Sequence, residues 1–148
     1  MPTITKATPR AERSRLLLEA TRDVLAWLDE RDPLIQVADF RVDSYCHGPG
    51  FAVEVTLTST LAQLPAVVAE LPRATVTLRA ADNMVVVAIA GATPAGSPIR
   101  LNAYLHGKEA AALAETTGLN FPPRHERSPI TTDTLAAAAS ATGQASDA

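Results

Sequence analysis

Cys46 and His47 stand side by side between Tyr45 and the run Gly48-Pro49-Gly50, a thiol and an imidazole in a glycine-rich hairpin loop. Loops of this kind often hold catalytic groups, and a cysteine nucleophile with a histidine base would suit attack on a small molecule. Adjacent residues diverge at a strand end, however, and a nucleophile needs a base within hydrogen-bond reach and usually a third group to orient it. The helpers on offer are His106, His125 and the Asp43 carboxylate, none of which sits in a local motif. A Cys46/His47 enzyme is therefore carried only as an alternative, and the chain reads as more consistent with a non-enzymatic protein.

Other chemistries find less to build on. The three histidines are widely spaced, and no HxH, HExxH or paired-cysteine pattern marks a metal site. Asp39 and Asp43 fall on one face of a strand, but four residues separate them by roughly 13 Å, too far for one ion without a further ligand. No cofactor motif is present. Gly48-Pro49-Gly50 opens no helix and Gly91 to Gly96 spans a hairpin, so neither is a phosphate cradle. Arg79, Arg100, Asn102 and Tyr104 could line a sheet, yet sheet readers of nucleic acid carry several stacking aromatics in a basic surround. Here aromatics are 4% of the chain and the net charge is −3, which argues against nucleic acid.

The elements that would position these residues are written as alternation. Val76, Leu78 and Ala80 alternate with Thr75, Thr77 and Arg79. Asp82-Asn83 turns the chain into Met84–Ala90, and Thr93-Pro94-Ala95-Gly96 turns it again into Ile99, Leu101, Ala103 and Leu105. Pairing Ala81 with Met84 sets Leu78 on Val87 and Val76 on Ile89. Pairing Thr93 with Ser97 sets Ile89 on Leu101 and Val87 on Ala103. Both registers place apolar on apolar, as a sheet with one buried face demands. A second hairpin, 38–57, pairs Phe40 with Val55, Val42 with Val53 and Arg41 with Glu54, with a bulge or a strand start expected near Ala38.

Helices fill the intervals. Pro9 and the face Leu17, Ala20, Val24, Trp27 and Leu28 predict a helix from about residue 8 to Asp32, ahead of Pro33. Thr60 to Gln63 has capping-box spacing before Leu64, Val67, Val68 and Leu71, and Lys108 to Thr117 is a short alanine-rich helix closed by Gly118. The fold class is α+β. The expectation is a mostly antiparallel five-stranded sheet, a hairpin plus a three-stranded meander, packed with two or three helices. Residues 1–7 read as a flexible arm, 8–118 as a single domain, and 119–148 as a flexible Pro/Ala/Ser/Thr-rich tail with too few bulky apolar residues for a core.

Composition is that of a globular chain, 47% hydrophobic and 20% charged over 148 residues. One cysteine excludes an internal disulfide, and no membrane span or signal-peptide core is visible, so the expected location is the cytoplasm or a phage particle.

The outer side of the middle strand carries the functional reading. Met84, Val86 and Ala88 point away from the main core, flanked by Arg79, Arg100 and Tyr104. An apolar strip rimmed by polar groups has the composition of a contact surface, unless one of the chain's own helices covers it. The expected partners are copies of the chain itself or another protein.

The run Leu25-Ala26-Trp27-Leu28-Asp29-Glu30, the helix 61–71, and the strands at Ala74-Thr75-Val76, Val85-Val86-Val87 and Ile99-Arg100-Leu101 resemble small uncharacterised α+β proteins of high-GC bacteria, their phages and integrative elements. The resemblance covers about residues 15–118 and rests on hydrophobic pattern, so it implies no site residue. It implies a phage or mobile-element origin and no presumption of enzymatic activity. The element order is also similar to that of phage tail-terminator proteins. That likeness implies, as an alternative, a structural component of a phage particle, with 119–148 as a docking arm.

Overall fold

A computed structural model describes residues 9–44, 51–81, 83–118 and 128–147. In chain order they form α1 (Arg10–Asp29), β1 (Val37–Ser44), β2 (Phe51–Leu57), a 3₁₀ turn (Leu61–Gln63) running into α2 (Leu64–Ala69), β3 (Thr75–Ala81), β4 (Met84–Ala92), β5 (Pro98–His106), α3 (Gly107–Thr117), β6 (Ser128–Ile130) and α4 (Thr132–Asp147). The α+β class is observed.

The expected registers are the observed ones. Leu78 lies opposite Val87, Val76 opposite Ile89, Ile89 opposite Leu101 and Val87 opposite Ala103. In the first hairpin Phe40 faces Val55, Val42 faces Val53 and Arg41 faces Glu54, with the register shifting between Val37 and Asp39. The β4–β5 turn closes through Gly96, at φ 93°, whose N–H donates to the Thr93 carbonyl at 2.8 Å. That left-handed conformation is easy for glycine and costly for a residue with a Cβ.

The sheet itself corrects the expectation. It has six strands in the order β1-β2-β5-β4-β3-β6, and β2 runs parallel to β5, Val55 opposite Leu101. The hairpin and the meander thus fuse into one mixed sheet through two strands that no short turn connects. The sixth strand, β6, pairs Ile130 with Val76 along the edge of β3.

Four helices, not two or three, are present among the described residues, and they share one face. Leu16, Val24 and Trp27 of α1, Leu64 and Val67 of α2, Leu113 of α3 and Leu135 of α4 join Val53, Val55, Leu78, Val87, Ile89 and Leu101 in a single core. Phe40 packs against that core half-buried. On α1 the deepest positions include Leu16, and Leu17 is only partly buried; the helix ends at Asp29 with Glu30 as its C-terminal cap. Gly118 closes α3 at φ 70°.

The stretch expected as a tail departs from that expectation. Residues 128–130 add a strand and 132–147 add a helix, and Leu135 and Ala138 are completely buried. One leucine and small alanines suffice because a helix of small residues can approach its neighbours closely. The packed body therefore extends past Gly118. Residues 1–7 and 119–127 lie outside the described residues.

Candidate functional site

All the helices use one face of the sheet, so the other face is open among the described residues. The pairing sets its side chains in rows. Arg41, Glu54, Arg100, Ala90 and Thr75 make one row across β1, β2, β5, β4 and β3. Asp39, Thr56, Asn102, Ala88 and Thr77 make the next. Tyr104, Val86 and Arg79 make a third, with Met84 beyond them opposite Ala81 and His106. The residues singled out as a contact strip are thus neighbours in space.

Met84, Val86 and Ala88 are absent from the hydrophobic core, yet Val86 is only 6% exposed and Ala88 8%. Their strand neighbours on this face are Arg79 and Thr77 on one side and Tyr104 and Asn102 on the other. Tyr104 is the exposed large side chain of the group. The middle of the strand is therefore not bare.

Electrostatics organise the far end of this face. Glu54 is buried and accepts hydrogen bonds from both flanking arginines. Arg41 approaches Oε2 through Nε at 2.8 Å and Nη2 at 2.7 Å, and Arg100 Nη1 donates to Oε1 at 2.8 Å. Two guanidinium groups on one carboxylate satisfy a charge that would otherwise be costly to desolvate. The pairing of Arg41 with Glu54 was legible in the alternation; the part of Arg100 was not, because it depends on the parallel β2–β5 contact.

Elsewhere, polar groups act as pins. Asp23 of α1 accepts a hydrogen bond from the Thr93 hydroxyl, and the Ser97 N–H donates to Thr93 Oγ1 at 3.1 Å. This ties the first helix to the β4–β5 turn. A cavity of about 560 Å³ lies between α3 and α4, lined by Lys108, Ala111, Ala112, Glu115, Thr116, Ala141 and Thr142. Its walls combine alanines with two threonines, and its charged residues are Lys108 and Glu115.

Cys46, His47 and His125 lie outside the described residues, as does Asp82. His106 is exposed at the junction of β5 and α3. Among the described residues no three His, Cys, Asp or Glu side chains gather as metal ligands, and no helix is long and apolar enough to cross a membrane. Compared with protein-family models, with curated proteins and with solved structures, the chain matches none.

Proposed function

We propose that this chain is a non-enzymatic accessory protein that acts through protein–protein contact, with the open sheet face as its contact surface and a second copy as its first occupant. One observation supports the reading: a six-stranded sheet with every described helix on one side leaves Val86, Ala88, Tyr104 and Arg79 on a face with no second layer among the described residues. A two-layer domain buries one face of its sheet, and an apolar-centred second face is suited to another molecule. The aromatic and arginine rim supplies the residue types that dominate contact energies.

Light scattering coupled to size exclusion tests it. The expected result is a particle heavier than the 15.6 kDa chain, with its mass lowered by Val86→Asp and by Tyr104→Ala. A monomer, or a mass unchanged by either substitution, would remove the face as a self-contact. The packing of 128–147 onto the body withdraws the reason for treating that stretch as a docking arm.

A further inference from the structure

We infer that the β1 edge is a second, separate contact surface, and that two copies pair there antiparallel about a two-fold axis at Phe40, joining two six-stranded sheets into one. The inference goes beyond the face contact and does not depend on it. Among the described residues no strand lies outside β1 in the sheet order. On the helix side of that strand Val37 and Val42 are 43% and 38% exposed, since the helical layer stops short of the edge. The Phe40 N–H donates to the carboxylate of the adjacent Asp39 at 2.8 Å, so a local acceptor fills its hydrogen bond.

Charge narrows the register to an axis at Phe40 or at Val42, the second of which sets Arg41 opposite Asp43. Only the axis at Phe40 gives the displaced Asp39 carboxylate a cation to face. About Phe40, Asp39 of one copy stands opposite Arg41 of the other, twice by symmetry, and Val42 stands opposite Ala38. About Arg41, the two arginines would face each other directly, which is unfavourable for like charges in a cross-strand pair. The bulge near Ala38 and the capping carboxylate shield the edge from indiscriminate pairing. They also leave a specific exchange available: Phe40 N–H takes the Phe40 carbonyl of the second copy, and Asp39 turns to Arg41. Both groups keep partners of the same kind. Taken alone, the isologous edge contact closes as a dimer.

Disulfide trapping reads this directly, using the full chain with Cys46→Ser as background. Directly opposed residues in an antiparallel pair have Cα atoms about 4.5–5.5 Å apart, within the range a disulfide spans. Phe40→Cys should therefore give a covalent dimer under mild oxidation, and Arg41→Cys and Val42→Cys should give several-fold less. Because Phe40 contributes to packing, a second variant leaves the core alone. Asp39→Lys puts like charges across the two-fold at two places and should weaken the dimer roughly tenfold, with Asp39→Asn intermediate. Val86→Asp, which acts on the open face, should leave the cross-link yield of the Phe40→Cys variant unchanged, so failure of the face contact and failure of the edge contact read separately. Preferential cross-linking at 41 or 42, or a dimer indifferent to Asp39→Lys, overturns the inference.

Discussion

Arg100 Nη1 lies 2.8 Å from Oε1 of Glu54, its direct neighbour on the parallel partner strand, on a sheet face that no described helix covers. A buried carboxylate on an open face is stable only because two arginines cap it, and they are unequal partners. The Arg100 side chain is 16% exposed and that of Arg41 is 70% exposed.

That inequality sets the first prediction. Glu54→Gln leaves the Arg100 guanidinium largely buried without its counter-charge and should cost about 2–3 kcal/mol, somewhat less than the roughly 3–5 kcal/mol of a fully buried pair because some solvent reaches Arg100. Arg41→Met removes a solvent-screened partner and should cost under about 1 kcal/mol. Urea denaturation of both variants decides it. Equal losses would mean that Glu54 draws nothing from Arg100 beyond what it draws from Arg41.

A second prediction concerns α4. Leu135 is completely buried within the common core, so Leu135→Ala should destabilise the protein by about 2–4 kcal/mol, transfer loss and cavity together. A freely moving tail would give a change within about 0.5 kcal/mol, the usual bound for a surface site. Equilibrium unfolding followed by circular dichroism separates the two.

The same residue shows where sequence reading stopped. Strand registers were legible because Val76, Leu78, Val87 and Leu101 repeat every second residue between recognisable turns, and a one-residue slip would turn them all outward. The outer strip was legible for the same reason, as the opposite phase of that alternation. The β2–β5 pairing left no local trace, since more than forty residues separate Val55 from Leu101 and no turn dictates their approach. The α4 helix was illegible because its pattern is alanine around one leucine. Small side chains serve there by allowing close approach, a property that hydrophobic periodicity does not register.

Two glycines should respond oppositely to alanine. A Cβ at Gly91 would meet the Cβ of Ala74 at 3.5 Å and the Cβ of Leu71 at 3.6 Å, ordinary contacts in a strand. Gly91→Ala should therefore raise stability by about 0.4–1 kcal/mol by restricting the unfolded chain. At Gly118, φ is 70°, and alanine there should cost about 1 kcal/mol through left-handed strain. Thermal midpoints moving in the same direction would contradict this account.

The last prediction uses the single tryptophan, Trp27, which is buried in the core with the Arg31 guanidinium 4.3 Å from its ring centroid. Arg31 is held there by its Nη1 bond to the Trp27 carbonyl at 2.9 Å and its Nε bond to Glu70 at 3.0 Å. Native emission should lie well to the blue of the unfolded chain, with little quenching by acrylamide. Arg31→Ala removes both the cation over the ring and the cover it provides. It should raise the quenching constant and cost about 1–2 kcal/mol, the cation–π contribution plus a partly screened ion pair. Glu70→Ala loses only the ion pair, so it should cost less than about 1 kcal/mol and leave quenching near wild type. Because Trp27 and Leu135 share one core, fluorescence and circular dichroism should report coincident unfolding transitions in every variant, as a single cooperative unit requires. Separated transitions would show that α4 melts apart from α1 and that the shared core is not one folding unit.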